Sequence, residues 1–485
     1  MKSKKIGVVL IAICMILLVG TAVLIALLAK RNSETADAES VTGSVRTFAD
    51  WTTQEVFQDV PAMIVEGTQV TEPLDVGDKT YLINVNGTVK EDFDAYLLTL
   101  EEGGFTKYAD NGENGIGGAV YNAIYTKEKL VVNVTHMVKI NKTYIYASNG
   151  LPLSEHLNYK DKYVANNVEG AETTLHLMEL YDRGTSFVLQ LKNKHFIVID
   201  GGLNNDAFYL LDYLEKLAPN GEKPVVEAWF FSHAHGDHMG ALQEMVENSE
   251  CLNRILVNGF YYNDPSQEVF QELGASAVKK TYISMAASRL KTEDGKNPEV
   301  YVPQAGQRYY FNDISIEIAF SQDAYHKSNI GTDVNDTSTW CVYNIEGQKF
   351  MEIGDAATGS ISAVKRIYDS EYFDLDMYAV SHHGINVYDD FTDFLSYETL
   401  IYPCYRVGSI YYEIAKYACV EQNAYMLAKA KEAYGFGKGT VVFTFPYAVG
   451  TADVLAPTDW IYHKDVEREY EIPRAEEWEA KVVNE

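Results

Sequence analysis

Cysteine is scarce, at five in 485 residues, and none forms a Cys-x-x-Cys pair. That excludes a disulfide-stapled scaffold. Proline is also sparse, at 12, and neither an internal repeat nor a low-complexity block interrupts the chain. With 47% hydrophobic and 22% charged residues, the composition is that of a folded globular protein, neither collagen-like nor disordered. Positive charge is the third shortage: 40 Lys and Arg face 69 Asp and Glu, a net charge of −29. Phosphate backbones are held by clustered Lys and Arg, so a nucleic-acid partner is disfavoured. The length allows two or three domains with a sizeable core.

One long apolar run is present. Residues 6–29 are 24 positions without a charge. At about 1.5 Å per residue they are long enough to cross a hydrocarbon core of roughly 30 Å. A cleaved signal peptide has a shorter apolar core, of about 7–15 residues. The segment therefore reads as a transmembrane signal anchor, with a cleaved signal or a buried helix as the alternatives. Lys2, Lys4 and Lys5 precede it, and Lys30 and Arg31 follow. This slight amino-terminal excess puts the short tail in the cytoplasm and the bulk of the chain outside, as a single-pass cell-membrane protein. Cys14, in mid-segment, reads as packing. The remaining 35 basic and 69 acidic residues give −34, which anionic lipid headgroups would not attract.

Residues 30–45 are small and polar, a linker. Residues 46–160 read as a small α+β accessory domain. Thr80–Val85 is a predicted strand. Glu91–Glu102 is a predicted helix, with Phe93, Tyr96, Leu97 and Leu100 on one face and Gly103-Gly104 as its stop. Predicted strands follow at Ala119–Thr126, Leu130–His136 and Thr143–Ala147. His136 and His156 are isolated and read as structural. From residue 170 to about 450 strands and helices alternate: 176–180, 186–191 and 195–200 as strands, Asp206–Leu217 as a helix, and 225–232 as a strand. ILVNG, SQEVFQELGAS, ISIEIAF, TWCVYNI, KFMEI, LDMYAVS, TLIYPCY and VVFTF continue the alternation. This predicts a layered α/β core with outer helices. Residues 451–485 read as a tail. Cys251, Cys341, Cys404 and Cys419 are expected to be buried thiols, with one disulfide outside the cell as the alternative.

The stretch FFSHAHGDHMGAL, residues 230–242, carries the chemistry. His233, His235, Asp237 and His238 follow an apolar strand directly. In extended chain, i and i+2 point the same way, so His233 and His235 can share one metal ion. Asp237 and His238 sit where the chain turns into a helix, and can face a second. Imidazole and carboxylate donors suit Zn2+, with Mn2+ or Fe2+ possible. Asp355 ends the strand of MEIGDAA, where its carboxylate can bridge two ions. His382 and His383 end the strand of AVSHHGIN. At least one is expected to be a ligand, with His383 favoured and the other free to contact substrate. Asp200 in IDGG is placed to orient the ligand loop through hydrogen bonds.

The order IDGG, SHAHGDH, GD, SHHG resembles the metallo-β-lactamase superfamily. It is most similar to the branch holding the hydrolase domain of DNA-uptake channel proteins and the teichoic-acid phosphorylcholine esterases. The opening at 177–202 and NDTS at 335–338 are also similar to that branch. The resemblance implies an αββα sandwich with one or two divalent ions at one sheet edge. It carries over as ligands His233, His235, Asp237, His238, Asp355 and His383 or His382. This chain departs from the pattern. After His383 only His463 remains, and the stretch where the branch has a further His offers Asn423. A middle His could only be His326. The second ion position is therefore expected to be weakly held. HHGI replaces the usual HHGS.

The implied reaction is hydrolysis by a metal-bound hydroxide, with Asp237 and Asp355 as the catalytic carboxylates. The resemblance favours phosphoesters, in a small molecule or an envelope polymer. Cleavage of a β-lactam or lactone, and a catalytically weak binding or sensing module, are the alternatives. Tyr261, Tyr262, Tyr405 and Arg406 are candidate substrate contacts.

Overall fold

The computed structural model describes residues 51–456 except 52, 78, 159–166, 182–183, 220, 264–280, 323–333, 386, 405–419 and 438. The expected anchor at 6–29, the linker at 30–45, the SQEVFQELGAS helix, His326, Tyr405, Arg406 and most of the tail lie outside the described residues. Among the described residues, no helix is long and apolar enough to cross a membrane.

The amino-terminal part is an antiparallel sheet. Thr80–Asn86, Lys142–Asn149, Leu130–Met137 and Val120–Lys127 lie side by side, with Gln69–Val70 and Thr106–Asp110 at the two ends and Leu74–Gly77 also on Thr80–Asn86. The helix Lys90–Glu102 covers one face and buries Phe93, Tyr96 and Leu100. Each such side chain contributes about 1.5–3 kcal/mol. Gly104, at φ 81°, turns the chain away from the helix. The opposite face carries Leu82, Val120, Met137 and Tyr144, which join a core with Ala319, Phe320 and Trp340 of the following part.

That following part is built on two more sheets. In the first, Phe196–Asp200 lies between antiparallel Ser186–Gln190 and parallel Val225–Phe230. Gly259–Tyr261 and Glu299–Tyr301 continue the parallel side, and Thr174–Leu177, Val441–Thr444 and Asp453–Val454 the antiparallel side. The expected tail thus begins with an edge strand. The second sheet runs Arg308–Phe311, Ile314–Phe320, Trp340–Ile345, Gln348–Glu352, Asp374–Ala379, Ser396–Tyr402, Glu432–Gly435, and its last four strands are parallel.

The two sheets pack face to face. Phe187 meets Phe350 with ring centroids 5.4 Å apart, and Phe230 meets Tyr309 at 6.1 Å. Leu210, Leu211 and Leu214 of Ala207–Leu217, and Leu242 and Met245 of Gly236–Glu247, extend this core outward from the first sheet. Ile361 and Val364 of Thr358–Ile367, with Met426 and Leu427, cover the far face of the second. Helices thus flank a mixed α/β body of stacked sheets, an arrangement consistent with the expected sandwich. Parallel strands bring Asp200, the 232–238 loop, Asp355 and the His382–His383 pair out at their carboxyl ends, where such sheets hold ligands. Cys251, Cys341 and Cys404 are buried.

Candidate metal centre

Val225–Phe230 feeds an extended loop that ends at His235, whose backbone (φ −80°, ψ 155°) precedes the helix Gly236–Glu247. Asp237 falls in the first helical turn, where the helix dipole favours a carboxylate. This helix presses closely on the chain that follows Asp200. A Cβ on Gly240 would sit 2.5 Å from the Asn204 amide nitrogen, so only glycine fits there. The Gly240 amide donates to the Gly202 carbonyl at 2.9 Å.

Asp200 ends its strand fully buried, with φ at 53°. Its Oδ1 accepts from the Ser232 amide at 2.8 Å, and its Oδ2 from the Ser232 hydroxyl at 2.7 Å. Oδ2 also accepts from Nδ1 of His238 at 2.7 Å. With its proton committed to Asp200, the Ser232 oxygen can accept from Nδ1 of His233 at 3.1 Å. Both imidazoles therefore turn Nε2 toward the site. His383 is fixed in the same sense, since its Nδ1 donates to the Pro403 carbonyl at 2.9 Å.

Asp355 is delivered by Gly354 at φ 54°, where a Cβ would lie 2.8 Å from the Ser232 oxygen. The Gly354 amide donates to Glu352 Oε1 at 2.6 Å, and its carbonyl accepts from the His382 amide at 3.1 Å. One glycine thus ties the Asp355 turn to both histidine loops. The side chain of Asn423 is fully buried. Its Nδ2 donates to the Gly384 carbonyl at 2.7 Å, and its Oδ1 accepts from Tyr402 at 2.9 Å. It braces the loop that carries the histidine pair.

The polar atoms fall into two groups around Asp355. Oδ1 lies 3.0 Å from His238 Nε2 and 3.5 Å from His383 Nε2, and His383 Nε2 lies 3.4 Å from Asp237 Oδ2. Oδ2 lies 3.7 Å from His233 Nε2, and His233 Nε2 lies 3.0 Å from His235 Nδ1. His382 stands beside this second set, its Nε2 3.6 Å from Asp355 Oδ2, but belongs to neither group. Donors about 2.0–2.1 Å from a tetrahedral zinc ion stand about 3.3 Å apart, close to these spacings.

Three atoms here, His238 Nε2, Asp355 Oδ1 and His383 Nε2, are buried with no hydrogen-bond partner. Each such atom costs about 1–3 kcal/mol if left unsatisfied. A divalent cation would satisfy all three at once, so these residues fit a metal ion. Burial alone would raise the Asp355 carboxyl, but the imidazoles of His238, His383 and His382 hold it well below the usual range. Burial likewise opposes charge on His238, yet Asp355 and Asp200 hold its pKa well above 6.5. Burial drives His233 the other way, well below 6.5, with His238 adding to the effect. Burial, reinforced by Asp200, pushes the Glu352 carboxyl well above its usual value.

The residues expected at this site, Asp200, His233, His235, Asp237, His238, Asp355, His382 and His383, are all brought together. His136 and His156 stand elsewhere: His136 bonds Thr143 at 3.0 Å, and His156 stacks on Phe311 at 4.0 Å. Tyr261 and Tyr262 are buried and not open to a substrate, and the Tyr261 hydroxyl bonds Ser154 at 2.7 Å. Their apolar strand-end setting marks them as packing residues. Sequence reasoning missed Ser232, Glu352, Gly354 and the Pro403 carbonyl. Ser232 left a signal as the residue opening SHAHGDH, and Gly354 as the glycine of the GD pair; Glu352 and Pro403 left none.

Residues 181–278 match the metallo-β-lactamase superfamily. No curated protein matches the sequence. Among solved structures, a metallo-β-lactamase HARLDQ-motif mutant from Cronobacter sakazakii is 14% identical, over 42% of this chain and 74% of its own, with a TM-score of 0.26. Zinc-bound PqqB from Methylobacterium extorquens is 10% identical, over 41% of this chain and 59% of its own, at 0.26. A metal-dependent hydrolase of the β-lactamase superfamily is 12% identical, over 54% of this chain and 95% of its own, at 0.31. The matched segment contains the H-x-H-x-D-H run, and with the ligand geometry it indicates a metal-dependent hydrolase.

Proposed function

We propose that this chain is a membrane-anchored phosphoesterase, acting on a phosphodiester outside the cytoplasm. The observation that carries this reading is the division of the Asp355 carboxylate between two donor groups. Paired cations clamp the attacking and leaving oxygens of a phosphoryl group and neutralise its charge, which a neutral lactam or lactone needs less. A divalent ion bound at this site would also lower the pKa of its water toward about 7. His233, His235, Asp237, His238, Asp355 and His383 would hold the ions. Asp200 and Ser232 fix the imidazole tautomers. Asp237 is partly open to solvent, and in this reading it would take the proton that the attacking water releases. The resemblance of the SHAHGDH and SHHG motifs to teichoic-acid esterases supports a phosphoester in an envelope polymer or a small molecule. The uncharged residues 6–29 and the basic excess before them support the anchor and its orientation.

The test is a substrate panel on the detergent-solubilised, zinc-loaded chain: bis-nitrophenyl phosphate, nitrophenyl phosphorylcholine and a chromogenic cephalosporin. Turnover of a phosphoester is expected. Hydrolysis of the cephalosporin alone would replace this reading with a lactamase. Bound metal without turnover of any of them would favour a binding or sensing module.

A further inference from the structure

A cleft of about 880 Å³ opens at the end of the first hydrolase sheet remote from the metal centre. Asn193, Glu227, Asn258 and Glu299 line it, each near the amino end of one of the parallel strands whose carboxyl ends carry the donor loops. Glu227 and His233 are six positions apart, about 20 Å of extended chain. Glu155 and His156, from the amino-terminal part, complete the lining, so the cleft lies where two parts of the chain meet, a common place for ligands. None of the described residues lining it is aliphatic.

The lining is held in place by its own contacts. Glu227 Oε1 accepts from Nδ1 of His195 at 2.5 Å, and Oε2 from Nδ2 of Asn258 at 2.7 Å. Asn258 Oδ1 accepts from the Glu293 amide at 3.0 Å. His156 donates from Nδ1 to the Tyr310 carbonyl at 2.9 Å and stacks on Phe311. The Tyr301 ring lies 5.1 Å from that of Tyr261 and close over Gly259, where a Cβ would stand 2.8 Å from it. Burial, with Glu299 and Glu155 adding, raises Tyr301 to about 12, so its hydroxyl stays a donor at neutral pH. Lys296 is tied to Asp294 at 2.5 Å, whereas Glu293 and Glu299 form no ion pair among the described residues.

This lining is wrong for two classes of ligand. An apolar molecule finds no aliphatic wall. An anion meets five carboxylates against one lysine that is already paired. A polyamine would use the carboxylates but not the four asparagines. Amides and carboxylates exchange hydrogen bonds with hydroxyl groups, and the face of an aromatic ring takes C–H groups. We infer that the cleft binds a sugar unit, neutral or amino-substituted, against Tyr301. It lies at the opposite end of the strands from the donor residues, so the sugar it holds is not the group under attack. The inference therefore depends neither on the metal nor on the proposed substrate.

The experiment is saturation-transfer NMR on the full chain in a sugar-free detergent. The probes are glucose, galactose, glucosamine and N-acetylglucosamine, with glucuronate and spermidine as controls. Transfer to at least one of the four sugars is expected, equally in metal-loaded and metal-stripped protein, and none to glucuronate. Titration of the sugar that binds gives its affinity. Tyr301→Ala should weaken it by at least about tenfold, as loss of an aromatic anchor does. Tyr301 also packs against the core, so Glu299→Ala, at an exposed position, is the second variant. Losing that charged acceptor should weaken binding by about tenfold. Circular dichroism against the parent identifies a variant that has not folded. Transfer to none of the four sugars, transfer to glucuronate as strong as to glucose, or parental affinity in both folded variants would overturn the sugar site. Binding of spermidine alone would replace it with a polyamine site. Each of these outcomes leaves the hydrolase reading where it stands.

Discussion

Nδ1 of His238 sits 2.7 Å from Oδ2 of Asp200, both side chains fully buried, and the same carboxylate oxygen takes the Ser232 hydroxyl proton at 2.7 Å. One carboxylate thereby sets two imidazoles: His238 directly, and His233 through Ser232. Asp200 is a member of neither donor group, yet both depend on it. Asp200→Ala is expected to weaken metal binding by about 10–100-fold, the usual cost of losing such a partner. Metal analysis after dialysis against graded chelator measures this. Retention of parental affinity would remove Asp200 from the site.

The donor residues themselves were legible because chemistry and spacing coincide in short runs. His233, His235, Asp237 and His238 lie within six positions, and strand-end carboxylates and histidines stand out against the apolar strands before them. Helices such as Lys90–Glu102 were legible because their burial follows a local period, and strands such as Ile314–Phe320 because their apolar residues alternate along the chain before it becomes wholly apolar. Thr106–Asp110 was not, since TKYAD is mostly exposed and carries no apolar alternation. Gly354 and Pro403 act through backbone groups, which look alike in every sequence, and the Glu352 carboxylate acts on the Gly354 amide, a partner that only the fold identifies. The choice between His382 and His383 also needed the structure, because both are held at positive φ, 51° and 56°, and only the folded turn shows which faces Asp237.

Asp355 is the one residue shared by both donor groups. Asp355→Ala should abolish turnover of whichever panel substrate the parent hydrolyses, a loss of at least about a hundredfold by comparison with the removal of other charge-stabilising groups. His235→Ala should do likewise, and both should unfold at a denaturant concentration near that of the stripped parent. Initial rates and urea midpoints on the same preparations decide it. Near-parental rates in either variant would refute the role assigned here.

Gly354 should tolerate no side chain. Alanine would have to hold φ near 54° and would set its Cβ 2.7 Å from the Ser232 Cβ. Relief means moving either Asp355 or Ser232, and each movement disturbs donors. Gly354→Ala is therefore expected to lower metal affinity more than it lowers stability, with a backbone cost of about 1–2 kcal/mol. Parallel chelator competition and urea unfolding separate the two effects.

Arg308 joins the amino-terminal sheet to the second sheet of the hydrolase. Its guanidinium donates to the Asn111 carbonyl at 2.7 Å, the Gly115 carbonyl at 3.0 Å and Glu317 Oε1 at 2.7 Å, while Tyr372 donates to the other Glu317 oxygen at 2.8 Å. Both charged side chains are largely buried. Arg308→Ala leaves Glu317 without its cation and two carbonyls without donors. A destabilisation of about 3 kcal/mol is expected. Urea unfolding measures it, and a change below about 1 kcal/mol would show that apolar packing alone holds the two parts together.

Acid should destabilise the protein through buried histidines that play no part at the metal. Burial lowers His176 to about 3 and, with Lys90 nearby, His136 to about 4, both from 6.5. Between those values and 6.5 the unfolded chain binds a proton at each position and the folded chain does not. The unfolded state then holds more protons, so stability is fully present above pH 6.5 and falls as the pH is lowered, by about 1.4 kcal/mol per unit for each histidine. His176 bonds the Thr174 hydroxyl at 2.8 Å and the Tyr213 hydroxyl at 2.7 Å, so His176→Asn lowers stability at every pH. Its diagnostic effect is on the slope. With chelator present in both samples, to remove proton competition at the metal ligands, the variant should lose stability between pH 6 and 4.5 less steeply than the parent by about one proton. Parallel slopes would mean that His176 already titrates normally in the fold.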